Sequence, residues 1–207
     1  MPLIIFDCDG TLVDSELLCN LALEYQLAEL GVECQAKELL KKFRGGKLAN
    51  ILVSLETEFS IQLPKAFEKE YRLKVTDLFD KHLKANDGVK GILESLSVPY
   101  CIASSAPQAK IQQALKVTGL AKYFNENIFS SYDVGSWKPE PGLFLHAAKV
   151  MGVAPNDCWV IEDSLLGVEA ANRACMKSIY YAPEVNEINK FGVQQIQHMS
   201  QLSELIL

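Results

Sequence analysis

The fold is most constrained by a four-residue apolar run, Leu3–Phe6, that ends directly in two carboxylates, Asp7 and Asp9. An apolar run without polar alternation is typical of a strand buried on both faces of a parallel sheet. In open parallel sheets, ligands bind at the carboxyl ends of the strands. Two unpaired buried charges are costly unless a cation or a substrate compensates them. The sequence therefore predicts a functional site at the end of this strand.

The two carboxylates can have separate roles, because a turning chain lets their side chains diverge. An ionised and oriented Asp7 can attack phosphorus and form an aspartyl-phosphate. Asp9 can protonate the leaving oxygen and later accept a proton from water. The alternative is structural: an Asx-turn or N-cap pair in which both carboxylates accept hydrogen bonds from backbone N–H groups.

The run Asp7–Ser15, with the sequence DCDGTLVDS, resembles the first motif of the haloacid dehalogenase superfamily of phosphotransferases. The resemblance implies that Asp7 is the nucleophile and Asp9 the general acid/base. It also implies that the side chain of Asp7 and the backbone carbonyl of Asp9 bind Mg²⁺. We further expect Thr11, in the same run, to lie against the substrate.

A second strand-like run, 98–103, ends in Ser104 and Ser105. A hydroxyl and free backbone N–H groups at a strand-to-helix turn suit a phosphate. Ser104 occupies the position of the superfamily's second motif, with Ser105 expected beside it in the substrate site. The alternative is that Ser104 only caps the helix that begins near Gln108.

Lys138 lies in the run GSWKPEP, where two prolines restrict the backbone before a helix predicted over 143–151. A lysine held by such a turn has less freedom in solvent than an ordinary surface lysine. Its Lys-Pro pair resembles the superfamily's third motif, whose lysine neutralises the nucleophile and the phosphate. The alternative is a solvated lysine.

A further apolar run, CWVI, ends in a second acidic pair, Glu162 and Asp163. Mg²⁺ prefers hard oxygen ligands and keeps several waters. Asp7, the carbonyl of Asp9 and Asp163 would therefore suffice, with Glu162 either ligating the ion or orienting its ligands. The stretch Glu162–Ala171 resembles the superfamily's fourth motif. Two helix-capping acids are the alternative, and it is weakened by the occurrence of two such pairs in one parallel-sheet pattern.

Strand-like runs alternate with helical patterns along much of the chain, at 3–6, 99–103, 128–130, 158–161 and 178–181. Such alternation is typical of parallel strands joined by right-handed helical crossovers. We therefore expect an α/β fold with a doubly wound, modified Rossmann core, as the resemblance also implies. Residues from Val193 onward are expected to cover the sheet edge or the core. Superfamily members often have glycine where this chain has Cys175, and a positive φ there would cost about 1 kcal/mol.

The segment between Ser15 and His82 has no strand-like run and shows helical periodicity instead. Helices are predicted to end at Gly31 and to span 36–43, 48–59 and 65–81. This segment is too long for a normal crossover, so we interpret it as an inserted helical cap domain. The expected division is a catalytic core of 1–14 and 84–207, and a cap of 15–83. A lid of this kind would exclude bulk water from the reaction.

A basic loop, Arg44-Gly45-Gly46-Lys47, lies between two of the predicted cap helices. Paired glycines allow a loop to approach the active site closely, and arginine suits bidentate recognition of a carboxylate. We therefore predict that these four residues bind the substrate, with an ordinary interhelical turn as the alternative. Runs such as F-R-G-G-K-L, W-K-P-x-P and H-A-A-K resemble the sugar-phosphate phosphatase branch, which implies a sugar-acid phosphate substrate such as 6-phosphogluconate.

The chain of 207 residues has a formal net charge of −6, which disfavours binding to nucleic acid or to anionic membranes. Its apolar runs are too short for a transmembrane helix, and the first strand leaves no room for a signal peptide. Six cysteines without C-x-x-C spacing indicate reduced thiols in a cytoplasmic protein. The expected partner is a small phosphate ester, and the expected assembly is a monomer or a small homo-oligomer.

The motifs together favour a magnesium-dependent phosphomonoesterase. A sugar phosphomutase is the first alternative, because it needs the same phosphorylated aspartate, shielded from water by the cap. A haloacid dehalogenase is disfavoured, since displacement of halide needs no second acid. A phosphonate hydrolase would need a Schiff-base lysine in the cap, for which Lys47 is the candidate. A non-catalytic phosphate-ester-binding protein is disfavoured, because every expected catalytic residue type is present.

Overall fold

The computed structural model describes residues 1–183 and 192–206. Within them six strands form one sheet: β1 (Leu3–Phe6), β2 (Tyr100–Ser104), β3 (Ile128–Ser130), β4 (Cys158–Glu162), β5 (Lys177–Tyr181) and β6 (Gln194–Ile196). The strand order is β3-β2-β1-β4-β5-β6, and all neighbours pair in parallel. The predicted parallel α/β core is confirmed. The strands predicted at 3–6 and 128–130 match the structure, and the others differ from it by one or two residues at an end.

Helices occupy the connections between the strands. Those in the described part of the chain are α1 (Glu16–Glu29), α2 (Ala36–Phe43), α3 (Leu48–Phe59), α4 (Phe67–His82), α5 (Val89–Ser95), α6 (Gln108–Thr118), α7 (Ala121–Phe124), α8 (Ser131–Val134), α9 (Gly142–Val150), α10 (Leu165–Arg173) and α11 (Leu202–Ile206). α1 to α4 all follow β1 and precede β2, as predicted for an inserted helical segment. None of the described helices has the combined length and apolarity needed to cross a membrane.

The central strand, β1, is buried on both faces, which explains its unbroken apolar sequence. Ile4 and Phe6 pack into one hydrophobic cluster, and Leu3 and Ile5 pack into another on the opposite face of the sheet. β1 pairs with β2 on one side and with β4 on the other. Because the chain leaves β1 in one direction and later returns to its other side, the crevice at the carboxyl end of β1 is the topological switch point of the sheet.

The two chain segments that join α1–α4 to the sheet lie side by side. Val13 forms an isolated bridge with Ala85, and the Asp14 N–H donates to the Lys84 carbonyl at 3.0 Å. The Asn86 amide also donates to the carbonyls of the Asp7–Ser15 run, at Gly10 and Thr11. The chain therefore enters and leaves the α1–α4 segment at two neighbouring places, near Val13–Asp14 and near Lys84–Ala85.

One conditional case and one local expectation from the sequence can be compared with the structure. Cys175 has a φ of 57°, so the costly left-handed conformation considered from the sequence does occur at this non-glycine residue. The residues after Val193 contribute β6 to the sheet edge, and Met199 and Leu202 are buried in the hydrophobic cluster that contains Phe6. Leu207, at the end of that segment, lies outside the described residues.

Candidate active site

Carboxylates from two adjacent strand ends converge at the switch point. Asp7 follows β1, Glu162 ends β4 and Asp163 comes next, and all three are buried. Each offers one carboxylate oxygen, and these oxygens all lie within 4.8 Å of one another. The register that pairs Phe6 with Ile161 places the ends of the two strands level with each other. The sequence had predicted that these acidic strand ends would meet.

Lys138 reaches the same point from the loop before α9. Its Nζ donates to Asp7 Oδ1 at 2.5 Å and to the Glu162 carboxylate. The side chain is buried, so the alternative of a solvated lysine is excluded. Burial by itself lowers the pKa of Lys138, but the charges of Asp7 and Glu162 outweigh it and raise the pKa above its ordinary value. Lys138 is therefore a fixed cation beside Asp7.

Glu162 is held by contacts on both of its carboxylate oxygens. Oε1 accepts from Lys138, while Oε2 accepts from the backbone N–H and the hydroxyl of Ser164, at 2.9 and 2.8 Å. A Cβ at Gly167 would lie 2.0 Å from the Glu162 carboxyl carbon, so the glycine makes room for this carboxylate. Of the two roles predicted for Glu162, these contacts favour orienting the site over direct ligation of an ion.

The charges in this cluster suit a divalent cation. When all three are ionised, Asp7, Glu162 and Asp163 bring three negative charges against the one positive charge of Lys138, and this excess of two is unfavourable unless a cation offsets it. Burial, together with Glu162, raises the pKa of Asp7 to about 8 despite Lys138. Burial and neighbouring carboxylates also raise the pKa of Asp163. Hard oxygen donors carrying this excess charge are the ligand set that Mg²⁺ prefers.

Asp9 lies beside this cluster but has its own counter-ion. Its Oδ1 accepts from the Ser15 hydroxyl at 2.6 Å, and its Oδ2 accepts from Lys110 Nζ at 2.8 Å. Burial opposes ionisation, but the charge and hydrogen bond of Lys110 prevail and lower the pKa of Asp9. Sequence reasoning missed Lys110. A signal was available, because a cation in the first turn of α6 is opposed by the helix dipole.

Ser104, the last residue of β2, and Ser105 line the cavity, whereas Thr11 does not. Ser104 Oγ accepts from the Ala106 N–H at 3.2 Å. Pro107 is the N-cap residue of α6, which makes no side-chain capping bond, so Ser104 is not the cap considered as its alternative role. Thr11 is fully buried and its hydroxyl donates to Asp163 at 3.3 Å. Thr11 therefore contacts the Asp163 carboxylate of the site and not the cavity in which a substrate would bind.

A cavity of about 280 Å³ joins these groups to the helices α1–α4. The predicted site residues that line it are Asp7, Asp9, Ser104, Ser105, Lys138, Glu162, Asp163, Gly45 and Gly46. Arg44 and Lys47, also predicted there, are not among its lining residues. The helices add an apolar wall and several polar groups, among them Glu16. Sequence reasoning missed Glu16, although it directly follows the Asp7–Ser15 run; burial, with the nearby charge of Asp9, raises its pKa to about 7.

The basic loop between α2 and α3 touches the sheet end directly. Gly45 has a φ of +72°, and a Cβ on it would lie 2.6 Å from the Ser164 Cβ. Lys47 Nζ lies 3.6 Å from the ring centroid of Trp137, the residue before Lys138. The loop therefore closes over the acidic cluster through a backbone approach that only glycine allows.

Fold and site together define an α/β enzyme that acts at the carboxyl ends of a parallel sheet, with paired carboxylates, a buried lysine and a serine hydroxyl around one cavity. Residues 4–181 match the model of the haloacid dehalogenase-like hydrolase family. The chain belongs to this family.

Relatives and solved structures support the same placement. The chain is 37% identical to the 6-phosphogluconate phosphatase of Escherichia coli, over 98% of this chain and 93% of that protein. A haloacid dehalogenase-like protein of unknown function from Agrobacterium tumefaciens superposes with a TM-score of 0.86 at 33% identity, over 100% and 97% of the two chains. A Thermotoga maritima protein assigned as a beta-phosphoglucomutase gives 0.81 at 26% identity, over 100% of each. Within the family, the chain is an enzyme of the phosphatase type.

Proposed function

We propose that this enzyme is a magnesium-dependent phosphomonoesterase that hydrolyses a small sugar phosphate or sugar-acid phosphate through an aspartyl-phosphate. The observation that carries the proposal is the buried Asp7–Lys138 ion pair beside Asp163, in the cavity that also holds Asp9. Fully ionised, the carboxylates around Lys138 would exceed its charge by two. A buried Asp–Lys pair needs no additional carboxylates for its own stability. A metal-assisted phosphoryl transfer does need them, because they hold the metal ion.

The reaction follows from the positions of these side chains. An oxygen of Asp7 attacks phosphorus and the ester P–O bond breaks. Asp9, which has to take up a proton at the expense of its ion pair with Lys110 before it can act as an acid, gives that proton to the departing oxygen. Asp9 then takes a proton from water, whose oxygen attacks the same phosphorus and releases phosphate and the free Asp7 carboxylate. Lys138 and Ser104 hold the oxygens on which charge develops. Mg²⁺, held by Asp7, Asp163 and the carbonyl of Asp9, would neutralise charge on the phosphate.

The cavity supports a small, hydroxylated substrate. Its volume of about 280 Å³ is close to the lower end of ordinary small-molecule sites. Glu16 and Asn20 offer polar groups to hydroxyls, while Leu23 and Val75 belong to the apolar wall. The E. coli relative is a 6-phosphogluconate phosphatase, and we propose a substrate of that type for this enzyme. We also propose that the chain divides into a helical cap domain, residues 15–83, and a catalytic core, residues 1–14 and 84–207.

A sugar phosphomutase is the second candidate, because the T. maritima protein assigned as a beta-phosphoglucomutase has the same fold over the full length of both chains. The two reactions share a phosphorylated Asp7 and differ in whether water or the sugar accepts the phosphate. Incubation with a hexose 1-phosphate separates them. Inorganic phosphate as the product supports the hydrolase, and a hexose 6-phosphate would show the mutase.

Removal of divalent ions tests the proposed function. A chelator is expected to abolish release of phosphate from 6-phosphogluconate, and added Mg²⁺ to restore it. Mg²⁺ should also raise the melting temperature of the wild type but not of Asp163→Asn, which loses a charged ligand. Asp157→Asn, at the exposed residue directly before β4, is the control and should respond like the wild type. Full activity in chelator, or an unchanged Mg²⁺ shift in Asp163→Asn, would contradict the metal site.

Gly45→Ala tests whether the loop must close over the site. The Cβ would clash with Ser164, so the loop has to retreat and KM for the phosphate ester should rise several-fold. Gly31→Ala is the matched control, because Gly31 has a φ of +78° but nothing within 4 Å of a Cβ. Both variants should lose about 1–2 kcal/mol of unfolding free energy through backbone strain. An equal rise in KM for the two would argue against a closing loop.

A further inference from the structure

Three cationic side chains line the cavity in the described part of the chain: Lys110, Lys138 and Arg72. Lys138 is engaged by Asp7 and Glu162, and Lys110 is engaged by Asp9. Both lysines are therefore committed to the carboxylates at the buried end of the cavity. Arg72, on α4, contacts none of those carboxylates, and it has to be explained separately.

Arg72 pairs with Glu68, but this pair neutralises the arginine charge only weakly. Arg72 donates from Nε and Nη2 to one oxygen of Glu68, at 3.1 and 2.7 Å. The side chains of Arg72 and Glu68 are 34% and 51% exposed, and solvated pairs four residues apart on a helix hold each other weakly. Nη1 makes no hydrogen bond within residues 1–183 and 192–206. The guanidinium can therefore bind a second anion.

A hydroxyl on the sheet side faces the same guanidinium. Tyr132, on α8, accepts from Arg72 Nη2 at 3.1 Å, so its own O–H proton remains to be donated. Trp137 packs edge-on against the Tyr132 ring, with 5.4 Å between centroids, and restricts its orientation. Arg72 and Tyr132 both line the cavity, and together they offer N–H and O–H donors from opposite sides of one opening.

A second contact between α4 and the sheet domain keeps these donors in place. Gln113, on α6, donates to the Thr76 carbonyl at 3.0 Å and to Asp80 at 2.8 Å. The position of Arg72 relative to Tyr132 is therefore set before any ligand binds, which lowers the ordering cost of binding. Tyr132 is 42% exposed, whereas the acidic cluster at the other end is buried.

We propose that Arg72 and Tyr132 form a carboxylate subsite that selects sugar-acid phosphates over neutral sugar phosphates. This inference rests on the proposed phosphatase function and names the residues that would set its substrate class. The phosphate binds at the buried end, and the carboxylate binds at the half-exposed end, where the guanidinium and the phenol both donate to it. A neutral hydroxymethyl group in the same place would add no charge to the weak, solvated pair that Arg72 makes with Glu68.

Kinetics on a matched pair of substrates test the subsite: 6-phosphogluconate and sorbitol 6-phosphate, which differ only in a carboxylate or a hydroxymethyl group at carbon 1. Arg72→Gln should raise KM for 6-phosphogluconate about tenfold or more, because a charge-assisted hydrogen bond is lost. It should leave kcat, and KM for sorbitol 6-phosphate, nearly unchanged. Arg72→Lys should recover part of the loss, and Tyr132→Phe should raise KM for the acid several-fold.

The controls separate the subsite from folding and from the proposed function. Lys74→Gln, on the same helix but outside the cavity lining, should leave both KM values unchanged. Melting temperatures identify any variant that fails to fold. Equal effects of Arg72→Gln on the two substrates, or none, would overturn the subsite while the phosphatase stands. Hydrolysis of neither substrate by the wild type would overturn the proposed substrate class, and the subsite with it.

Discussion

Asp7→Asn is expected to lower the rate of phosphate release by at least about 1000-fold, because an amide oxygen cannot act as the attacking nucleophile. The change is nearly isosteric, and the amide oxygen can still accept from Lys138, so the fold should persist. Burial already raises the pKa of Asp7 to about 8. Ionised Asp7 therefore destabilises the folded protein. Loss of this charge should therefore leave the unfolding free energy unchanged or slightly higher in the absence of metal.

Single-turnover phosphate release measures the first effect, and thermal unfolding measures the second. Asp77→Asn makes the same chemical change at an exposed position, where Asp77 pairs with Lys81 on the same helix, and it serves as the control. It should keep wild-type activity. A residual rate above one tenth of the wild type in Asp7→Asn would remove Asp7 from the role of nucleophile.

Lys138→Met should have the largest effect on stability. The substitution leaves Asp7 and Glu162 buried without the ammonium that both now contact. Breaking a buried ion pair by removing one partner costs about 3–5 kcal/mol, so a loss of this size is expected in the unfolding free energy. Activity should also disappear, because the cation that neutralises nucleophile and phosphate is gone.

Urea unfolding with and without Mg²⁺ measures this effect and tests its electrostatic cause. Mg²⁺ should restore part of the lost stability, since it would offset the same carboxylates. Lys149→Met, at an exposed position on α9, is the matched control and should change stability by about 0.5 kcal/mol or less. A loss in Lys138→Met no larger than in this control would contradict the buried ion pair.

The sequence by itself determined the strands, most of the helices and the carboxylates of the site. β1 is an unbroken apolar run, and β4 is apolar up to its last residue, Glu162, because both strands are buried in the centre of the sheet. The bounds of α2 and α3 followed from helical periodicity between recognisable breaks. These features are fixed by interactions among near neighbours in the chain.

Only the tertiary structure decided which side chains from distant segments meet. Lys110 pairs with Asp9 across 101 positions of sequence, and Arg72 meets Tyr132 across 60. The basic loop was predicted from its composition, yet Gly45 and Gly46 line the cavity whereas Arg44 and Lys47 do not. Such contacts depend on how the helices pack against the sheet and against one another. Local propensity does not encode that geometry, because it arises from side-chain packing over the whole core.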